Sequence, residues 1–333
     1  MTGMDTRAHV AAGFIHVDEP GALTIVQDLG RWEHTNLGIP ICGPMDPFAF
    51  AAANALGSNE PGAAELELTA LGPTLTVEAD CFISICGGDL GPRISGATVE
   101  CWKAHYVSRG TEVSFSGRRS GARAYLAISG GIGVDPWLGS RSTYLRAGVG
   151  GFSGRALRVG DKIPVAASPD SVSVQLRALP ADGLPRYSDE PVLRVILGPH
   201  LDNFSEVGLS TFLEGKFRLS RDADRMGYRL DGPPIAHSSL GPDVSSCGIP
   251  FGAIQVPGDG RPILLMADHP TAGGYALVAV VIQADLPIAA QCLPGDTVRF
   301  QAVEPGEARE ALRTRYEVLE DLRSRRLTRT TCV

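Results

Sequence analysis

Residues 24–59 read TIVQDLGRWEHTNLGIPICGPMDPFAFAAANALGSN. A β-rich run ends at Val26, and Gln27, Asp28, Arg31, His34, Asn36, Asp46 and Asn54 follow among four glycines and three prolines. Glycine and proline fix where the backbone bends, and the polar side chains beside those bends donate, accept or carry charge. Packing alone does not require that mixture. Asp46-Pro47 is a helix start, because an aspartate caps free N–H groups and proline suits the first helical position. PFAFAAANAL then supplies good helix formers before Gly57 ends the run. The stretch therefore predicts a strand end, a polar turn and a short capped helix, with Asp46 a cap rather than a catalytic carboxylate.

Outward from this stretch, short β-rich runs bounded by turn formers recur through both halves, among them 74–78, 81–86, 124–129, 192–197, 263–266 and 275–283. Such spacing, with 40 glycines, 24 prolines and few helical stretches, predicts a mainly β protein of barrels or sandwiches and not a doubly wound sheet. A chain of 333 residues exceeds the usual size of one core. The polar, proline-containing segment 166–191 reads as a linker between domains at 13–165 and 192–303, with a C-terminal helix and tail over 304–333. The two domains echo each other: LRVGDKIPV (157–165) and LPGDTVRFQAV (293–303) each place a Gly-Asp turn before a strand.

Composition narrows the function. A formal charge of −7 argues against a general nucleic-acid binder, and the basic end at Arg323, Arg325, Arg326 and Arg329 reads as a solvated helix terminus. Seven cysteines without CxxC or Cys/His spacing indicate no metal site and reduced thiols in a cytoplasm. No apolar run is long enough to span a bilayer. The chain has no P-loop, dinucleotide fingerprint, nucleophile elbow, HExxH or biotin-carrying Met-Lys-Met. Any ATP chemistry thus needs an unconventional site, and any biotin comes from another chain.

Several residues can carry chemistry. Arg31 offers a rigid planar donor set for a carboxylate or phosphate, or pairs with Asp28 to pin the turn. SGGI at 129–132 and LGSRST at 138–143 place glycines near Ser140 and Arg141, as an anion nest or as a hydroxyl-capped hairpin. Arg225 lies in SRDADRMG, where a self-paired charged loop is the plainer reading. Gln255 lies in the first strand of GAIQVPGDGRP (252–262), facing one side. The run DHPTAGGY brings Asp268, His269, Thr271, Gly273, Gly274 and Tyr275 together; His269 titrates near neutrality and Asp268 can orient it or act as base.

Taken in order, VQDLGR (26–31), GIPICGPMD (38–46), AANALGSN (52–59), ELTALGPTL (67–75), LGSRST (138–143), DRMGYRL (224–230), GAIQVPGDGRPILLMAD (252–268), TAGGY (271–275) and PGDTVRF (294–300) resemble the carboxyltransferase-domain family, subdomains C and D. The family is also known as allophanate hydrolase subunit 2 or as the C subunit of 5-oxoprolinase. The resemblance runs from about residue 13 to 303. It implies two cyclophilin-like β-barrel domains and a cyclophilin-like partner, the family's subunit 1 or B-type chain, in a heterodimer or heterotetramer. The A-type chain of 5-oxoprolinase is implied as a further partner. The resemblance also implies ATP shared with the partner and opening of 5-oxoproline to glutamate. Two alternatives stand beside it: transfer of a carboxyl group from carboxybiotin held on another chain, and a regulatory role that sequesters the partner. The expected roles are catalytic for Asp268, His269 and Arg31. Substrate binding falls to Gln27, Asn54, Ser140, Arg141, Arg225, Gln255, Thr271, Gly273, Gly274 and Tyr275. Trp32-Glu33, Cys42 and His269-Pro270 depart from the usual family pattern, which raises the question of a changed substrate.

Overall fold

In the strand Glu65–Thr69 (ELELT), successive side chains point to opposite faces, so Leu66 and Leu68 turn one way and Glu65 and Glu67 the other. That alternation organises the first half of the protein. The computed structural model describes residues 11–166, 178–180 and 183–324. A six-stranded sheet runs in the order Lys162–Ala166, Ala11–Glu19, Thr74–Glu78, Thr111–Phe115, Pro92–Ile94 and Ala97–Thr98. A five-stranded sheet runs Leu23–Gln27, Glu65–Thr69, Ser120–Ile128, Cys81–Asp89 and Lys103–Val107. Their facing apolar sides, including Ile15, Val77 and Ile163 from one and Leu66, Ile85 and Leu126 from the other, form one core.

Four α-helices accompany the strands among the described residues: α1 (Pro47–Leu56), α2 (Glu206–Glu214), α3 (Leu286–Ala290) and α4 (Pro305–Ser324). The cap read from Asp46 is present, with the Ala49 N–H donating to Asp46 Oδ1 at 2.8 Å. Helix α1 covers the outer face of the five-stranded sheet, where Phe50, Tyr125 and Ala127 pack with Leu319 and Leu322 of α4. That sheet is therefore buried on both sides, which is why its second face can hold carboxylates away from water.

The second half closes a seven-stranded barrel in the order Val192–Leu197, Leu277–Val281, Ala253–Gln255, Ile263–Leu265, Gly227–Asp231, Phe217–Leu219 and Thr297–Ala302. A parallel pairing of the first and last of these strands completes the ring. Phe212 of α2 stacks on Phe300 with ring centroids 4.7 Å apart, filling one end of the barrel core. A two-stranded ribbon, Asp243–Gly248 with Ala272–Tyr275, is a separate sheet beside the barrel. The expected mainly β architecture holds. The first unit takes the form of two sheets sharing a core, and the second is hydrogen-bonded all the way round.

Of the linker, Ala178 bridges to Lys103 and Leu179 buries itself among α1 and α4. Linker residues 167–177 and 181–182 lie outside the described residues, as do Arg325, Arg326 and Arg329 of the basic end. The two units are locked directly. Met45, just before α1, belongs to the barrel's core cluster. Gln291 accepts from the backbone N–H groups of Ala122 (2.8 Å) and Arg123 (2.9 Å) and donates to Asp46 Oδ2 (2.8 Å) and Arg123 O (3.0 Å). Arg123 donates to Tyr228 Oη at 2.8 Å and to the Ala290 carbonyl. No described helix is long and apolar enough to cross a membrane.

Candidate functional site

The site is framed by Asp28. Its carboxylate accepts from Ser140 Oγ (2.5 Å), Ser142 Oγ (2.7 Å) and the N–H groups of Gly30 (2.9 Å) and Arg141 (2.5 Å). Gln27 Nε2 donates to Thr143 O at 3.1 Å, and Thr143 N–H and Oγ1 both return to Val26 O at 2.9 Å. Residues 140–143 are thus wrapped around the end of the strand Leu23–Gln27. Among the described residues Asp28 forms no ion pair with Arg31, because its acceptor positions are filled by the loop.

That wrapping sets the surroundings of Arg31, which is only 2% exposed. Its Nη2 donates to Ser142 O, and its guanidinium lies 5.1 Å from the centre of the Trp137 ring. Nε and Nη1 are buried and have no acceptor. Gly150 closes over the group: a Cβ there would fall 2.9 Å from Arg31 Nη2 and 2.2 Å from Ser142 O, so only glycine fits.

Facing it from the barrel is Arg225, 5% exposed, with four hydrogen bonds. Nε and Nη2 donate to Asp268 Oδ2 (3.0 Å) and Oδ1 (2.8 Å), Nη1 donates to Glu67 Oε1 (2.5 Å), and Nη2 also reaches Gly43 O (2.6 Å). Glu67 in turn accepts from Tyr125 Oη (2.7 Å) and the Met45 N–H (3.0 Å) through Oε2. Burial opposes the charge on Arg225, but Asp268 and then Glu67 hold it protonated, well above the usual arginine range. The cluster joins both units, and every member has partners.

Between these two arginines sits Cys42, in a left-handed backbone conformation (φ 61°) directly before Gly43 (φ 87°). Burial, and then the neighbouring Asp268 charge, push its thiol up to about 12, with Arg31 and Arg225 pulling the other way. At neutral pH Cys42 is a neutral thiol, not a nucleophile. Tyr144 faces the same place: burial first, then Cys42 and Asp268, raise its phenol above the ordinary value. Tyr144 and Val149 pair as the base of a tight turn, from which Arg146 Nη1 reaches 2.9 Å from Met226 Sδ of the barrel.

His269 is buried beside Asp268, with its ring stacked near Phe251 at 6.5 Å. Burial lowers its pKa, so the imidazole is neutral near pH 7; Nδ1 sits 2.8 Å from Pro270 O, where it donates and leaves Nε2 as the acceptor nitrogen. Gln255 is buried with Nε2 unpartnered, and a Cβ at Gly273 would meet that nitrogen at 2.7 Å. Gly273, Gly274 and the exposed Tyr275 lie on the ribbon strand Ala272–Tyr275, and Thr271 O, just before it, accepts from Ile249 N–H.

The structure therefore joins Arg225 to Asp268 beside His269, places Cys42 in reach of the charges of both Arg31 and Arg225, and sets Gln255 against Gly273 of the ribbon strand that also carries Gly274 and Tyr275, just after Thr271. It separates out others. Asn54 donates to Ala63 O (2.9 Å) and accepts from Asn59 (3.0 Å), closing the turn after α1. Ser140 is fully buried with its hydroxyl on Asp28, and Arg141 Nε is committed to Val134 O at 2.7 Å. Gln27 holds Thr143. These four build the loop that frames Arg31 and the turn beside it, and the anion nest expected at 138–143 is occupied by Asp28. Glu67, Tyr125, Trp137 and Tyr144 went unread in the sequence; for Glu67 the signal was the alternation in ELELT. Two surface clefts of about 340 and 290 Å3 share no lining residue with this cluster. Among the described residues no group of three or more His, Cys, Asp or Glu is placed to hold a metal ion.

Comparison with known proteins gives the family. Residues 37–302 match the family model described as carboxyltransferase domain, subdomain A and B. The family is the one suggested by the motifs, with the label A and B in place of C and D. The chain is 33% identical to the C subunit of 5-oxoprolinase from Escherichia coli over 303 residues, covering 91% of this chain and 95% of that protein. It is 33% identical to the urea amidolyase of Lachancea kluyveri over 330 residues, covering 93% of this chain but 18% of that much longer protein. The solved structure of Kluyveromyces lactis urea carboxylase superposes with a TM-score of 0.88 at 30% identity, over 97% of this chain and 30% of that one. The chain belongs to the carboxyltransferase domain family.

Proposed function

We propose that this chain is one component of an ATP-dependent complex that opens 5-oxoproline to glutamate, active together with a B-type partner of similar fold and with the A-type chain of 5-oxoprolinase. The observation that carries this reading is the end-to-end match to the C subunit of 5-oxoprolinase, which leaves almost nothing of either chain unaccounted for. The substrate is a lactam bearing one carboxylate, and its hydrolysis breaks the ring C–N bond, adds water to the carbonyl carbon and leaves a free amine. ATP supplies the driving force by activating an amide carbonyl that resonance makes a poor electrophile.

The residues of this chain support the other tasks. Asp268, fixed by two bonds from Arg225, and the neutral His269, with Nε2 open as an acceptor, handle the proton of the attacking water and of the leaving nitrogen. Gln255 Nε2, a buried donor without a partner, is suited to the lactam oxygen. A nucleotide triphosphate needs several cations or a run of free N–H groups. Arg225 has a partner on every nitrogen and the N-terminus of α1 is filled by Asp46, so the nucleotide is held mainly by the partner. The six free cysteines among the described residues support a cytoplasmic complex.

Co-expression with the partner chains and assay of 5-oxoproline-dependent ATP hydrolysis and glutamate release tests the proposal. Asp268→Ala/His269→Ala is expected to lower glutamate release by about 100-fold or more; release at the wild-type rate overturns these roles. A second reading, carboxyl transfer from carboxybiotin on another chain, draws on the 0.88 TM-score with urea carboxylase. Carrier-dependent carboxylation of urea, with no response to 5-oxoproline, would favour it.

A further inference from the structure

Arg31 is among the largest side chains taken wholly out of water, yet two of its three nitrogens find no acceptor. A guanidinium carries five N–H donors, and donors stranded in a dry site lose their hydration without compensation. No acceptor among the described residues reaches them: Gln27 Oε1 and the Glu65 oxygens are themselves buried without partners and form no hydrogen bond to Arg31. Asp28 is filled by Ser140, Ser142, Gly30 and Arg141, and Glu67 and Asp268 are taken by Arg225. Cys42, the group between the two arginines, is a neutral thiol.

The geometry points to Arg31 as the seat of a single carboxylate of a small substrate, entering between the turn at 144–149 and Cys42. The inference rests on reading this inter-unit cluster as the substrate site, and it separates the two arginines: Arg225 crosslinks the units and Arg31 receives the ligand. Charge selects a carboxylate over a phosphate, while Trp137, its ring centre 5.1 Å from the guanidinium carbon, leaves the acceptor to meet the donors in the plane of the group. Asp28, Glu67 and Asp268 already outnumber Arg31 and Arg225 by one charge, so a dianion is opposed more strongly than a monoanion. One singly charged acceptor group takes the donors along one edge of the guanidinium, at Nη1 or at Nε, without a second cation.

The test uses the full chain titrated with 5-oxoproline, 2-pyrrolidinone (the same ring without the carboxylate), acetate and inorganic phosphate. Binding is followed by calorimetry and by Trp fluorescence, since Trp137 lies against Arg31. The expected result is saturable binding of 5-oxoproline, a spectral change with acetate, and no competition from phosphate. Binding should weaken about tenfold or more for 2-pyrrolidinone and for Arg31→Met. Arg31→Lys, which keeps the charge but not the planar donor set, is expected in between and covers the case in which Arg31→Met does not fold. Equal affinity for the two ring compounds, wild-type affinity in the variants, competition by phosphate, or no response to any carboxylate overturns the seat. Failure of the enzymatic reading looks different: acetate still perturbs wild type and not the Arg31 variant, while the complex releases no glutamate.

Discussion

Two arginines sit at the junction of the units, both buried and both in segments dense with polar residues, and their surroundings differ in one respect. Arg225 makes four hydrogen bonds to two carboxylates and a carbonyl. Arg31 makes one, leaves two nitrogens unpartnered and rests on an indole. Exposure does not distinguish them, and neither does local sequence, since each has an aspartate and a glycine close by in the chain. Hydrogen-bond satisfaction does: a buried cation with its acceptors in place holds a fold together, and one with spare donors is prepared for something not yet there.

The largest test of that contrast is thermodynamic. Arg225→Met should cost about 3–5 kcal/mol in urea unfolding, because Glu67 and Asp268 are left buried without a counter-charge. Arg31→Met should change stability by less than about 1 kcal/mol, since it strands no carboxylate. Similar losses for the two variants would erase the distinction.

The saturated side of the comparison extends to Asp46 and Gln291, where Asp46→Asn sets an amide donor against Gln291 Nε2. A cost of about 1–2 kcal/mol at pH 7 is expected, largely recovered in Asp46→Asn/Gln291→Glu, with the coupling read from a double-mutant cycle. Burial raises the Asp46 carboxyl from 3.8 to about 6. A carboxyl raised on folding binds its proton more tightly in the folded state, so its contribution to stability is greatest below about pH 4 and is lost as pH rises towards 6. The stability gap between wild type and Asp46→Asn should therefore be widest near pH 4 and shrink by on the order of 2 kcal/mol by pH 7. A gap that grows with pH would show that Asp46 is stabilised as the anion.

The smallest expected effect is at Glu65, fully buried opposite Gln27 on the paired strands and raised well above the usual carboxylate range by burial. Glu65→Gln should be within about 1 kcal/mol of wild type at pH 7.5, on the stable side, and should lose less stability as pH rises from about 5 to 8. A clear loss at neutral pH would move Glu65 into the class of partnered, ionised groups with Glu67.

Reading the residues alone succeeded where the physics is local. Asp46-Pro47 and the alanine-rich run specify their own helix, because a cap and a fixed φ act within one turn. Turn formers and short β-rich runs specified a mainly β chain in two units. The same reading failed wherever a polar side chain's partner is distant in sequence. Asn54, Ser140, Arg141 and Gln27 looked like ligand-binding groups until their acceptors and donors were in place around the turn after α1 and around Asp28. Glu67 went unread because its partners, Arg225 and Tyr125, are distant in sequence and α1 makes the outer face of its strand an interior.

The family, the β class, the capped helix and the neighbourhoods of Arg31 and Asp268–His269 are legible in the residues, since propensity, turn chemistry and motif order are properties of short segments. Which arginine is a crosslink and which is open emerges only in the fold, because that depends on groups as far apart as Glu67 and Arg225, or Asp28 and Ser142. Donor count is written in the chain. Whether each donor meets an acceptor is settled when burial removes water and the folded neighbours are the only acceptors left.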